Sequence, residues 1–246
     1  DAIRAWRDWT APATVPAPDT PRINAARALL AAAPQKQLNE QQACAVFGAL
    51  GVPQAQTAVM ADAAATVDIG YPVVAKILSP DIAHKTDAGG VALNIGDAAQ
   101  LKQAAQDILT RVRAKHPQAK LNGILVQRME RGLAEVIVGY KRDPQVGPLI
   151  VLGVGGVLAE VYHDIAMRLA PVSIEAAAEM INEIKGLSII RGYRGLPRGD
   201  CAALAQAVAA FSQLAAFDDI AEAEINPLIV KKENDGVIAV DGLIVR

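Results

Sequence analysis

The sequence predicts an α+β fold with mixed or antiparallel sheets. Several apolar, β-branched runs typical of strands follow one another without an intervening helical segment, which does not fit simple βαβ winding. Other segments combine the apolar spacing of amphipathic helices with capping residues at their ends. The chain closes with two strand-like runs joined by residues 231–236, a turn-rich segment typical of a hairpin.

The N-terminal part is predicted to be a linker followed by a capped helix. Residues 10–21 contain four prolines and indicate a semi-rigid connection. Because the chain starts at Asp1 rather than at Met, we expect a piece of a longer or processed polypeptide, with residues 1–34 leading in from an upstream region. A helix is predicted to begin at Asn39, with Gln42 completing a capping box, and to end at Gly51.

The remaining elements follow from apolar periodicity and from helix stop signals. A long helix capped by Asp97 is predicted to stop at residues 116–117, His-Pro. Two more helices are predicted at 174–185 and 200–216. Strands are predicted near residues 72–78, 91–95, 123–128, 134–140, 149–152, 223–230 and 237–241.

Composition narrows the class of protein. Of the 246 residues 52% are hydrophobic, 20% charged and 4% aromatic, so the core must consist mainly of Ala, Val, Ile and Leu. A formal charge of −2 gives no electrostatic case for nucleic acid or an anionic membrane as partner. The sequence has no run of eighteen apolar residues and no signal peptide. Cys44 and Cys201 show neither metal spacing nor a disulfide framework, so we expect a cytoplasmic protein.

Lys76 is the first candidate for a functional residue. It lies inside an apolar run predicted to be a buried strand, where an unpaired charge is expensive. It therefore needs an anion, which is either a phosphate or a protein carboxylate. The strand leads into a loop that contains His84 and Lys85 and closes with two glycines, and such loops concentrate functional residues. A cation beside a histidine-bearing loop suggests phosphoryl chemistry, although a lone loop histidine is more often an ordinary surface residue.

The C-terminal hairpin predicts a second site. Positions equidistant from its midpoint at 233.5 face each other, which pairs Asn226 with Asp241. Glu224 lies two residues from Asn226 and so projects from the same face. Three oxygen donors on one face suit Mg²⁺, which completes its shell with water and phosphate. The alternative is a solvated polar face, since a bulge in the hairpin would shift this register.

A set of ordered motifs resembles one family. Residues 73–91, VVAKILSPDIAHKTDAGGV, resemble the signature of the ATP-grasp domain in ADP-forming acyl-CoA synthetases. The resemblance covers roughly residues 35–246. Further matching motifs are LVQRM at 125–129, EVIVG at 135–139, GVGG at 153–156, DIAMRLAP at 164–171, RGYRG at 191–195 and EINPL at 224–228.

The resemblance implies an ATP-grasp fold, in which two α/β lobes with mixed and antiparallel sheets clamp a nucleotide. The expected division is residues 35–126 for the first lobe and 127–246 for the second, which carries the metal-binding hairpin. ATP or ADP and Mg²⁺ are the implied cofactors.

The resemblance also implies roles for single residues. Lys76 is expected to contact the nucleotide phosphates and Glu135 to reach the ribose. The backbone of Gln127, Arg128 and Met129 is expected to form the adenine-side hinge. The implied metal ligands are Glu224, Asn226 and Asp241.

The family reaction converts acyl-CoA, ADP and phosphate reversibly to acid, CoA and ATP by way of an acyl phosphate and a phosphohistidine. The histidine that first receives phosphate lies in a CoA-ligase domain, which these 246 residues lack. His84 matches a second histidine that some members use to pass phosphate to the nucleotide site. The implied partner is therefore a CoA-binding and CoA-ligase region, either upstream in the same polypeptide or on another subunit. This chain alone should bind nucleotide without completing the reaction.

Two other functions stay open at this point. The chain could be a regulatory, catalytically silent ATP-grasp region of a protein acetyltransferase. It could also be a scaffold that docks a CoA-ligase partner without using ATP. A fused acetyltransferase domain would favour the first alternative, and a titration with Mg-ADP separates the second from a nucleotide-binding module.

Overall fold

The fold consists of two antiparallel sheets and the helices that cover them. The computed structural model describes residues 17–82, 85–156 and 164–246. The larger sheet has the order β1-β11-β9-β6-β7-β8, with β10 paired to the second half of β9. Its strands are β1 (Gln37–Leu38), β6 (Ala134–Asp143), β7 (Gly147–Val154), β8 (Ile165–Leu169), β9 (Glu222–Val230), β10 (Val237–Ala239) and β11 (Gly242–Val245).

The smaller sheet has four strands in the order β2-β5-β3-β4. They are β2 (Thr57–Met60), β3 (Val73–Ile77), β4 (Val91–Ile95) and β5 (Ile124–Arg128). All strand pairs of the described ranges are antiparallel, and parallel pairing is limited there to one isolated bridge between Gln54 and Ala239. The predicted α+β class with two sheets is thus confirmed.

Five α-helices occur in the described residues. They are α1 (Thr20–Ala32), α2 (Glu40–Leu50), α3 (Ala98–Lys115), α4 (Ile174–Glu183) and α5 (Cys201–Ser212). Short 3₁₀ segments follow the last two helices at Lys185–Arg191 and Gln213–Ala216, and another lies at Tyr193–Gly195. Across the described ranges, none of these helices combines the length and the apolar composition needed to cross a bilayer.

The start of α2 is fixed by the predicted capping box. The Asn39 side chain accepts a hydrogen bond from the Gln42 backbone N–H at 3.0 Å, and the Gln42 side chain accepts one from the Asn39 N–H at 3.1 Å. Gly51 ends the helix with a φ of +105°, a conformation that favours glycine. The box places Glu40 at the first helical position, where it enters the site described below.

Each sheet has its own hydrophobic core. The larger sheet packs against α1, α2, α4 and α5, and the edge-to-face pair Phe47–Phe211, with ring centroids 5.1 Å apart, lies in this core. The smaller sheet packs against α3 through a second cluster that includes Ile77, Ile108 and Ile124. The cavity that holds the candidate site is lined by strands of both sheets.

The helices and strands do not follow the predicted domain boundaries at two points. Residues 20–32 of the expected linker 1–34 form α1, because Ile23, Ala26 and Leu30 recur at helical spacing and are buried in the larger core. The expected lobe boundary between residues 126 and 127 falls inside β5, and α2 packs in the larger core although it precedes the smaller sheet in sequence. Sequence order does not determine which sheet buries the apolar face of a helix.

Candidate functional site

A cavity of about 540 Å³ lies between the two sheets. Its wall is formed by β3, β4 and β5 from the smaller sheet and by β6, β9 and residues 240–241 from the larger one. All the predicted nucleotide-contacting residues line it, namely Lys76, Gln127, Arg128, Met129 and Glu135. The structure thus brings these residues together around one space, while their contacts with a nucleotide stay a prediction.

The backbone of the predicted adenine hinge is partly engaged within the protein. The Arg128 N–H donates to the Gln56 carbonyl at 3.0 Å, and the Met129 N–H donates to the Pro72 carbonyl at 3.0 Å. These two donors hold the end of β5 in place. A base bound here would therefore have to use backbone carbonyl oxygens or the N–H of another residue.

Lys76 points out of a strand whose five residues are all buried. Its ammonium donates to Glu40 Oε1 at 2.6 Å and to the Val240 carbonyl at 2.6 Å, and lies 3.7 Å from Asp241 Oδ2. Of the two anions that the sequence left open, the carboxylate is the one paired with Lys76 in this structure. Because Lys76 also lines the cavity, it stays within reach of a phosphate placed there.

Glu40 is a site residue that sequence reasoning missed. Its side chain is 1% exposed, and Oε2 lies 2.9 Å from the Lys85 ammonium, so that Glu40 contacts both lysines. Burial raises the pKa of Glu40, and the ammonium groups of Lys76 and Lys85 act against this rise. An acidic residue in the first turn of a helix is ordinary, so the sequence carried no signal that this one faces Lys76 across 36 positions.

Lys85 joins Glu40 to the hairpin. Its ammonium lies 3.2 Å from both carboxylate oxygens of Asp241. Burial by itself lowers the pKa of Lys85, but the carboxylates of Glu40 and Asp241 outweigh it and leave the pKa raised. Lys85 is therefore a fully charged partner of two carboxylates.

The predicted register of the C-terminal hairpin is confirmed. Val230 pairs with Val237 and Glu224 with Leu243, so the sum of paired residue numbers stays constant through β10 and β11. In this register Asn226 lies opposite Asp241, and the Asn226 N–H donates to the Asp241 carbonyl at 3.3 Å. A second cavity of about 300 Å³ is lined by Glu224, Asn226 and Asp241.

The donor set of this face fits Mg²⁺ without forming a closed cage. Within the described residues, no three His, Cys, Asp or Glu side chains are grouped closely enough to hold a metal ion by themselves. Mg²⁺ usually takes one or two protein carboxylates and keeps waters or phosphate oxygens in its remaining positions. Two carboxylates and one amide beside the cavity match this coordination preference. The metal role of Glu224, Asn226 and Asp241 stays a prediction.

His84 lies outside the described residues, but the loop around it is partly defined. Ile82 and Ala88 are buried in the smaller core, so the loop has more apolar anchoring than its sequence indicates. The Gly90 N–H donates to the Lys85 carbonyl at 2.7 Å, and a Cβ at Gly90 would clash with the Ile77 side chain. Gly90 is therefore needed for the close approach that places Lys85 at the cavity.

Comparison with known proteins identifies similar chains. A family model for an ATP-grasp domain matches residues 29–245. The beta subunit of acetate–CoA ligase [ADP-forming] I from Pyrococcus furiosus is 38% identical over 227 residues, which cover 89% of this chain and 97% of that subunit. Acetate–CoA ligase [ADP-forming] I from Archaeoglobus fulgidus is 44% identical over 171 residues, or 69% of this chain. The matched part is 25% of the Archaeoglobus protein, so this chain spans about a quarter of that relative.

Solved structures of similar chains have the same fold. Dinucleotide-forming acetyl-coenzyme A synthetase 1 from Ca. Korarchaeum cryptofilum, in complex with coenzyme A, Ca-AMPCP and HgCl⁺, superposes with a TM-score of 0.83 at 34% identity. The match covers 89% of this chain and 99% of that one. A complex of the same synthetase with coenzyme A and Mg-AMPPCP, its phosphohistidine segment pointing towards the nucleotide binding site, gives a TM-score of 0.76 at 32% identity over the same shares of both chains.

Proposed function

Because the chain belongs to the ATP-grasp domain family, we propose that it is the ATP- or ADP-binding phosphotransfer module of an ADP-forming acyl-CoA ligase. The observation that carries this proposal is the cavity between the sheets, which gathers every predicted nucleotide-contacting residue from distant parts of the sequence. The relatives named as ADP-forming ligases and the synthetase structure that holds a Mg-nucleotide analogue support the same function.

In this proposal the nucleotide phosphates lie beside Lys76 and the base lies at the end of β5. The ammonium of Lys76 turns from Glu40 towards the phosphates and offsets their charge. The carbonyl oxygens of residues 127–129 accept from the exocyclic amine of the base. Glu135 accepts from the ribose hydroxyls, since it is an exposed carboxylate on the cavity wall.

Glu224, Asn226 and Asp241 would hold Mg²⁺ at the hairpin face of the same space. When bound, the ion supplies positive charge that offsets the negative charge on the phosphate oxygens. Asp241 is oriented for this role by the Gly242 N–H, which donates to Oδ1 at 2.8 Å.

His84 is the proposed carrier of the phosphoryl group. One imidazole nitrogen attacks the phosphorus of a phosphohistidine on the CoA-ligase partner, and the N–P bond of that partner breaks. In the next step a terminal oxygen of ADP attacks phosphohistidine 84, the new N–P bond breaks and ATP forms. The complete conversion of acyl-CoA, ADP and phosphate to acid, CoA and ATP then requires the CoA-binding and ligase domains of a partner.

The partner and the location belong to the same proposal. One relative carries this region as a separate beta subunit, and another carries it within a chain about four times longer than the matched part. We therefore propose that the CoA-ligase partner is either fused to this chain or a second subunit. The free thiols Cys44 and Cys201 support a reducing, cytoplasmic location.

Two measurements test the function. Calorimetric titration with Mg-ADP and Mg-ATP should show saturable binding to the isolated chain, with much weaker binding when EDTA removes the metal. Mixing the chain with γ-³²P-labelled ATP and a CoA-ligase subunit should transfer label to that subunit. Absence of nucleotide binding would exclude the phosphotransfer role and leave the docking scaffold. Binding without transfer would leave the regulatory ATP-grasp region.

A further inference from the structure

Four charged side chains join the two cores of the molecule. Lys76 and Lys85 belong to the smaller sheet and to the loop that follows β3, whereas Glu40 and Asp241 belong to α2 and to the turn between β10 and β11. Their formal charges sum to zero, and each lysine contacts both carboxylates within 4 Å. We refer to these residues as the charge bridge.

Lys85 occupies the cation position on Asp241. Its ammonium is 3.2 Å from Oδ1 and 3.2 Å from Oδ2, so it straddles the carboxylate as a bidentate partner does. Oδ1 also accepts from the Gly242 N–H at 2.8 Å, which fixes the orientation of this carboxylate. An Mg²⁺–oxygen bond is about 2.0–2.1 Å long, so a second cation on the same oxygens would lie against the Lys85 ammonium.

We propose that Lys85 is an internal counter-ion of Asp241 that a divalent metal must displace, and that Glu40 is the positioning residue that retains Lys85 after the exchange. This inference rests on the proposed function in taking Asp241 as a metal ligand. Lys85 moves from two carboxylate partners to one, because Glu40 Oε2 at 2.9 Å remains available to it. Metal binding thereby breaks the ion pair that connects the loop after β3, through Lys85, to Asp241 of the C-terminal hairpin.

The charge of Glu40 determines how easily this exchange happens. With Glu40 present, two lysines share two carboxylates, and Lys85 can release Asp241 without becoming unpaired. With Glu40 neutral, both lysines depend on Asp241, which makes them stronger competitors of a metal. Replacements at Lys85 and at Glu40 should therefore change metal affinity in opposite directions.

The test uses Mn²⁺ alone as a probe, counted by the electron paramagnetic resonance of the free ion in the absence of nucleotide. Lys85→Met should bind Mn²⁺ roughly tenfold more tightly than the parent chain, since the competing charge-assisted contact is gone. Glu40→Gln should bind it several-fold more weakly. Lys120→Met is the matched control, because Lys120 is an exposed lysine beside the same loop whose backbone N–H contacts Asp81. It should leave the Mn²⁺ affinity unchanged.

A second variant and a second readout guard against a trivial result. Lys85→Arg keeps the charge and adds a bidentate fork, so it should weaken Mn²⁺ binding even if Lys85→Met fails to fold. Hydrogen exchange of the peptide covering residues 79–90 should become faster when Mg²⁺ is added to the parent chain.

The inference is overturned if Lys85→Met binds Mn²⁺ no more tightly than the parent or if none of the chains binds it. A gain of equal size in Lys120→Met would also overturn it. So would Lys85→Arg binding Mn²⁺ as tightly as the parent chain does, or hydrogen exchange of residues 79–90 that is unchanged by Mg²⁺. Failure of the proposed function would show differently, as the absence of Mg-ADP binding by the parent chain.

Discussion

Single buried charges set the chemistry of the cavity between the sheets. The Glu40 carboxylate is almost fully buried, and desolvation on this scale is tolerated because two ammonium groups lie within 3 Å of it. A buried ion pair of this kind adds little net stability, yet removing one member is costly because the other is left unpaired. The arrangement is therefore best explained by what the lysines do once an anion enters the cavity.

Replacing Lys76 tests this explanation, because Lys76 contacts the Glu40 carboxylate and also lines the cavity. Lys76→Met should weaken Mg-ATP binding by about tenfold to a hundredfold, since a charge-assisted contact contributes about 1.5–3 kcal/mol. The free energy of unfolding should also fall, because Glu40 loses its partner at 2.6 Å. Calorimetry and urea denaturation measure the two effects. Lys141→Met, which removes an exposed ion pair with Glu222, is the control and should change neither quantity appreciably.

Cys44 should be a poor nucleophile. Burial raises the pKa of its thiol to about 12, and the carboxylates of Glu40 and Asp241 add to the rise. The thiolate is the reactive form, so a shift from about 8.5 leaves very little of it at pH 8. Iodoacetamide should modify Cys44 at least a hundredfold more slowly in the native chain than in urea, as followed by peptide mass spectrometry. Comparable rates in both states would show that the thiol is ionised or that α2 opens readily.

At the scale of elements, the C-terminal hairpin places the three candidate metal ligands on one face. It consists of β9 paired with β10 and then with β11. The constant register makes Asn226 and Asp241 cross-strand neighbours, with Glu224 one alternation away. A one-residue slip would turn these side chains to the opposite face. The geometry of the hairpin thus decides whether the metal face exists.

Two substitutions on this hairpin test the metal assignment. Asp241→Asn and Asn226→Ala should each weaken Mg-dependent nucleotide binding by roughly tenfold or more, the size of one charge-assisted contact, and affect metal-free binding much less. Parallel ADP titrations in Mg²⁺ and in EDTA give the comparison. Asp235→Asn changes an exposed acidic residue in the turn of the same hairpin and should behave as the parent in both titrations. If Asp241→Asn and Asn226→Ala retain the full Mg²⁺ effect, the metal lies elsewhere.

The sequence predicts the elements of this fold better than their assembly. The capping box of α2 and the hairpin register follow from neighbouring residues, and the structure confirms both. The burial of α1 and the pairing of Glu40 with Lys76 depend on contacts between distant segments, for which local patterns carry no signal. Four strands, β1, β2, β8 and β11, are missing from the predicted set. β11 is not recognised as separate because residues 240–241 interrupt the run that pairs with β9.

At the scale of the whole molecule, the cavity has walls from both sheets, so its shape depends on how the two cores lie against each other. The charge bridge is one polar connection that crosses this boundary beside the cavity. A phosphotransfer module also needs a way to pass the phosphoryl group outward. Under the proposed function, a partner domain would supply the other half of the site; one relative carries this region as a separate beta subunit and another within a longer chain.

The sharpest prediction for the whole module concerns His84. A carrier histidine must exchange phosphate with the partner without being required to hold the nucleotide, because Lys76 and the hairpin are the proposed ligands of the nucleotide and its metal. His84→Ala should therefore keep the affinity for Mg-ADP within about twofold while label transfer from γ-³²P-labelled ATP to a CoA-ligase partner falls by a factor of about 10² or more, as expected when a nucleophile is removed. Titration calorimetry and a quenched transfer assay measure the two quantities.

The comparison that isolates the carrier role is with His116→Ala. His116 is exposed at the C-terminal end of α3, and its replacement should leave both binding and transfer as in the parent. Acid-labile, base-stable label should accumulate on the parent chain when the partner is omitted and should be missing from His84→Ala, since phosphohistidine has this stability pattern and phosphoserine does not. Full transfer by His84→Ala would make His84 an ordinary loop residue. A joint loss of binding and transfer would instead make it a nucleotide ligand, because a pure carrier affects only the second.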